Sequence, residues 1–179
     1  MEQGGYTMLI VDEIEYNKIW KKVEKILKFH PSCNPIDTVL PFKIKLPHSV
    51  YSIKNMNNEQ LVLMDDIIRQ ALINITLKNE KWYALDWKHA AFRFDPNNLD
   101  EQQNVYIKDE QYIGGGYNAY FPPFYPDGDY YFFIDENFNN GYLGHPWRKE
   151  VWIFGDMLTQ EFSKVFKKLG WHLLSERRY

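Results

Sequence analysis

Between Asp12 and about Phe29 the apolar side chains fall at Tyr16, Ile19, Trp20, Val23, Ile26 and Leu27, in steps of three and four. That spacing gathers them on one face and predicts an amphipathic helix. Lys18, Lys21, Lys22, Lys25 and Lys28 fall on an adjoining stripe, expected to be solvated unless an acidic partner covers it. Residues 31 to 50 carry Pro31, Pro35, Pro41 and Pro47, which exclude a long helix. An extended connection is expected there, with room for short edge strands. Helical spacing resumes at Leu61, Met64, Ile67, Ile68, Ala71, Leu72 and Ile75, with Asn57 or Asn58 as N-cap and an end near Leu77. The wide apolar face of this second helix predicts packing against a sheet.

From 81 to 154 the pattern changes to short runs of aromatic and β-branched residues between Asp, Asn, Gly and Pro, the signature of strands and turns. Trp82 to Trp87, Ala90 to Phe94, Tyr130 to Ile134, Gly141 to Leu143 and Glu150 to Phe154 are the strand candidates. Asp95 to Asn98, Gly114 to Gly116 and Pro122-Pro123 interrupt them. A last helix is expected from near Asp156 to before Gly170, burying Met157, Leu158, Phe162, Val165, Phe166 and Leu169. Gly170 stops it, and Lys167 and Lys168 suit the negative end of its dipole. The expected fold is α+β, a largely antiparallel sheet packed by an N-terminal, a central and a C-terminal helix. One domain is expected over residues 1–179, a length at which a single core suffices.

Charge and cysteine content narrow the setting. With 21 basic and 24 acidic residues the net charge is −3, which argues against nucleic acid as a ligand. The lone Cys33, between Pro31 and Pro35, fits a loop in a reducing compartment and is expected to be inert. The start Met1-Glu2-Gln3-Gly4-Gly5 lacks the basic residues of a signal peptide, and no apolar run approaches the ~20 residues that span a bilayer. A cytoplasmic location is expected.

Candidate chemistry concentrates in the strand-rich half. Tyr106 to Phe154 holds 16 of the 31 aromatic residues, more than one sheet face needs. Those not required for cross-strand packing would form an aromatic surface for a protein segment or a carbohydrate-like ligand. Three polar clusters could each place an ionisable group beside an aromatic: Asp86-Trp87-Lys88-His89, Asp127-Gly128-Asp129 and His145-Pro146-Trp147. Asp86 and His89 are an odd number of positions apart, so a regular strand sends them to opposite faces and only a bend brings them together. Either imidazole is a candidate acid or base, against the plainer reading of a structural histidine.

Asp127 and Asp129 open like a calcium loop, but the twelfth position is Phe138 where that loop needs Glu. Pro126-Asp127-Gly128 reads better as a turn in which Gly accepts positive φ. Gly114 to Gly116 lacks the Gly-Lys-Ser/Thr ending of a phosphate loop, and no HExxH, GxSxG or kinase pattern is present. No metal or cofactor is expected.

Tyr83-Ala84-Leu85-Asp86-Trp87-Lys88-His89, Pro126-Asp127-Gly128-Asp129-Tyr130-Tyr131-Phe132, and Gly144-His145-Pro146-Trp147 leading into Trp152-Ile153-Phe154-Gly155 together resemble a bacterial family, domain of unknown function 2716. The resemblance covers roughly residues 10 to 170. It implies a cytosolic, Bacillus-like setting and carries no catalytic residue.

Two readings follow. The first is a non-catalytic protein-binding module, regulatory or immunity-like, presenting Trp87, His89, His145 and Trp147 at one surface depression. The second is a small-molecule or hydrolytic enzyme in which Asp86, Asp127 and Asp129 join the histidines as an acid–base cluster. Spatial convergence discriminates between them.

Overall fold

The computed structural model describes residues 7–31, 39–99, 104–108 and 115–178. Cys33, Pro35, Gly114 and the first six residues lie outside the described residues.

The first two helices start where short polar side chains cap them. In α1 (Glu13–Leu27) the Asp12 carboxylate accepts the Glu15 N–H at 2.9 Å, satisfying a free donor of the first turn. In α2 (Asn58–Ile75) the cap is Asn57, not Asn58: Asn57 and Gln60 each accept the other's main-chain N–H at 2.9 Å. α3 (Asp156–Val165) is shorter than expected, and turns carry the chain on to Gly170. Met157, expected on its buried face, is 47% exposed, while Leu158 and Phe162 are fully buried. One residue is a 100° step around a helix, so Leu158 and Met157 cannot both face the sheet.

The strands are β1 (Met8–Leu9), β2 (His48–Ser52), β3 (Trp82–Asp86), β4 (Ala91–Phe94), β5 (Asn104–Lys108), β6 (Gly116–Tyr120), β7 (Tyr131–Asp135), β8 (Gly141–His145), β9 (Glu150–Phe154) and β10 (His172–Arg177). Eight form one antiparallel sheet in the order β1-β4-β3-β7-β8-β9-β2-β10, and β5 and β6 make a separate ribbon. The five strands expected from sequence form the contiguous middle of the sheet. β2 arises in the proline-rich region, yet it lies between β9 and β10 instead of at an edge, because the unforeseen β10 covers it.

Period-two alternation sends the side chains of each strand to two helical layers. On one side α1 lays Ile19, Trp20, Val23 and Leu27 on Leu85, Phe132, Ile134, Leu143 and Phe154. On the other, α2 and α3 cover Trp82, Ala84, Phe133, Tyr142, Val151 and Ile153. Both faces of the central strands are therefore apolar. This is why β7 reads Tyr-Phe-Phe-Ile without a polar break and is buried throughout.

At the β9–α3 junction Gly155 has φ of 92°, and a Cβ there would lie 2.3 Å from the Asn139 carbonyl oxygen. Only glycine fits the reversal that folds α3 back onto the sheet. Gly128, expected to use positive φ, does not: the described glycines with positive φ are Gly115, Gly155 and Gly170. The 127–129 segment bends without needing that freedom. No helix among the described residues is long and apolar enough to cross a membrane.

Candidate functional site

β3 and β4 are joined by a tight turn through Trp87, Lys88, His89 and Ala90. Lys88 takes a left-handed φ of 64°, and the His89 N–H donates to the Asp86 carbonyl at 3.0 Å. This is the bend that the odd spacing required. It swings the His89 imidazole back so that Nδ1 sits 3.1 Å from Asp86 Oδ1. Asp129 arrives from the bend before β7, with Oδ2 at 3.6 Å from the same Nδ1. Its Oδ1 accepts the Tyr130 N–H at 2.8 Å, which fixes the carboxylate. Tyr16 of α1 closes the arrangement by donating its hydroxyl to the His89 carbonyl at 2.9 Å.

Asp86, His89 and Asp129 thus offer three ligand atoms within 4.8 Å of one another. Asp127 stands apart and instead accepts the Tyr131 hydroxyl at 2.6 Å. Burial, only partly offset by the His89 hydrogen bond, pushes the Asp86 carboxyl up to about 6. Burial also raises Asp129, against its bond from the Tyr130 N–H. The Tyr131 hydroxyl is pushed up, first by burial and then by its bond to Asp127. The Asp86 carboxyl therefore keeps its proton to a higher pH than an ordinary carboxyl, and an exposed imidazole lies against it.

Asp86 and His89 line a cavity of about 580 Å³ bounded by β1, the first turns of α1, the β3–β4 turn and β6. Leu9, Ile10, Tyr16 and Tyr120 supply much of its wall. A few convergent polar groups on a mainly apolar wall is the usual composition of a small-molecule site. The sequence singled out Asp86 and His89 but not Tyr16 or the β1 and β6 walls. β6 is defined by its pairing with β5, which brings Ile107 to the same cavity.

The other candidates meet elsewhere. Trp87, His145 and Trp147 pack around the Tyr130 ring, with centroids 6.0, 4.9 and 5.1 Å from it, on the α1 side of the sheet. His145 is 4% exposed, with Nε2 at 3.4 Å from the Tyr130 hydroxyl and Nδ1 lacking a hydrogen-bond partner among the described residues. Burial lowers its imidazole to about 4. Trp87 and Trp147 are half-buried, so this is an aromatic cluster with two partly open ends. His89 belongs to the acidic group and not to this cluster.

The class defined is an α+β domain with a central antiparallel sheet between two helical layers and a His–carboxylate group at the cavity beside its β3–β4 turn. The chain belongs to the family described as Protein of unknown function (DUF2716), whose model matches residues 10–159. It is similar to Uncharacterized protein YxiI of Bacillus subtilis (strain 168), at 31% identity over 155 residues covering 84% of this chain and 88% of that protein. No solved structure matches. The matched region holds all seven candidate site residues.

Proposed function

We propose that this protein binds a small amphipathic molecule in the cavity beside the β3–β4 turn and that His89 exchanges a proton with it. The observation that carries the reading is the meeting of Asp86 and His89, at 3.1 Å, on the wall of that cavity. Apolar walls take the body of the ligand, and the acidic rim favours a cationic or hydrogen-bond-donating head. Asp86 orients the imidazole, and the Tyr16 hydroxyl holds the turn that presents it. Ligand-observed NMR with a library of small amines and phenols tests this. Binding signals are expected from the unmodified protein and should vanish in Asn118→Trp, which fills the cavity from its exposed side. Undiminished signals in that variant would overturn the reading.

A non-catalytic protein-binding role, regulatory or immunity-like, is the second reading, favoured by the half-buried Trp87 and Trp147 against Tyr130. A captured partner should then lose affinity on Trp147→Ala, since truncating a central aromatic anchor costs about 2 kcal/mol or more. We further take residues 1–179 as one domain in a cytosolic setting, supported by the sheet shared between both cores and by the lone thiol.

A further inference from the structure

We infer that Asp86, His89 and Asp129 bind a divalent transition-metal ion at the rim of the cavity. The inference rests on the reading of that rim as a ligand site and names one of its ligands. Two carboxylates and one imidazole are a donor set suited to Mn²⁺, Fe²⁺, Co²⁺ or Zn²⁺. They come from two segments, the β3–β4 turn and the bend before β7, which the sheet holds side by side: the Trp87 N–H donates to the Tyr130 carbonyl at 3.2 Å.

The spacing fits an ion. Ligand atoms about 2.0–2.2 Å from a common metal lie roughly 3–4.4 Å from one another in tetrahedral or octahedral geometry. Here the imidazole Nδ1 is 3.1 Å from Asp86 and 3.6 Å from Asp129, and all three atoms fall within 4.8 Å. On binding, the ion takes the place of the hydrogen bond between His89 Nδ1 and Asp86. The charge also fits. Among the described residues His89 is the sole ion-pair partner within 4 Å of either carboxylate; Lys88, with its ammonium over the Trp87 ring at 4.6 Å, acts on Asp129 only from a longer range. Two acids therefore face one imidazole, with a third, Asp127, two residues from Asp129.

The cavity is a separate pointer to a ligand. Asp86 and His89 both line it, so a metal held there borders about 580 Å³ of space for a molecule to share its coordination. Asp129 is oriented from behind by the Tyr130 N–H, the kind of outer support that metal-ligating carboxylates have.

The test is cobalt and manganese titration of full-length protein dialysed against chelator, read by visible absorption and by calorimetry. One ion per chain is expected. Asp129→Asn and His89→Ala should each weaken binding at least roughly tenfold, the size of effect that outer-shell changes already produce. Asp127→Asn should bind like the unmodified chain. Circular dichroism of each variant establishes that it is folded. No binding to the unmodified protein, or equal binding by it and by folded Asp129→Asn, would overturn the metal site. Asn118→Trp separates the two proposals, because it blocks the cavity and spares the ligands. Cobalt binding without any small-molecule signal sinks the pocket alone, and a small-molecule signal without cobalt binding sinks the metal alone.

Discussion

His89 and His145 each stand two residues from a tryptophan at the same end of the sheet, yet they occupy opposite environments. The His89 side chain is 62% exposed between two carboxylates at a cavity. His145 is buried among Tyr130, Trp147 and Phe42, with one ring nitrogen unpaired among the described residues. Strand alternation makes the difference. His145 is the last residue of β8 and points to the α1 layer, whereas His89 lies in a turn that leaves the sheet. Local sequence sets what a residue is able to do, and the layer that receives it sets what it does.

The largest expected effect breaks one side of this contrast. Tyr130 is the hub of the His145 cluster and is buried, so Tyr130→Ala should cost about 3–5 kcal/mol in urea unfolding. A loss below about 1 kcal/mol would show that the cluster is not a core.

The next effect sets the two regions against each other through pH. His145 is lowered to about 4 from an unfolded value near 6.5, so between those values the unfolded chain binds the extra proton. Stability through this group is complete above 6.5 and falls as pH drops towards 4, by on the order of 2 kcal/mol. Asp86 is raised to about 6, so below 6 the folded chain binds the extra proton. Its contribution has the opposite sign: stability rises as pH falls from 6 through the ordinary carboxyl range, by about 1 kcal/mol after solvent screening. Unfolding between pH 7 and 4.5 should therefore show a flatter or reversed slope for His145→Phe and a steeper loss for Asp86→Asn. Identical profiles for both variants and the parent would erase the contrast.

The smallest effect belongs to His89 itself. Being exposed, His89→Ala should change stability by under about 0.5 kcal/mol, measured by thermal unfolding in chelator. A loss of 2 kcal/mol or more would make it a structural histidine like His145.

The readable parts of the fold were those where side chains do the folding. α1 and α2 announce themselves by Ile19, Val23, Met64 and Ile68 at helical spacing, and β7 by its unbroken apolar run. β10 was illegible because all six of its residues are exposed and it is held by main-chain bonds to β2, with a bulge between Leu173 and Ser175. No alternation can mark such a strand. In the site, Asp86 and His89 were visible as residues but their meeting was not, because it depends on the left-handed turn at Lys88. Asp129 joins them only through the pairing of β3 with β7, a contact between segments far apart in sequence.

The placement of β2 has a consequence for how the chain is made. His48 to Ser52 pair with Glu150 to Phe154 on one side and His172 to Arg177 on the other, so this strand is synthesised about a hundred residues before either partner. At roughly 5–20 residues per second, the hundred or so residues between β2 and β9 take about 5–20 s to add. For that interval Val50 and Tyr51, both buried in the finished sheet, are exposed on the nascent chain. Completion of the sheet is a late, non-local event, and such closures are slow and open to aggregation. Translation speed and chaperone supply while residues 53 to 149 are being added are therefore expected to affect yield.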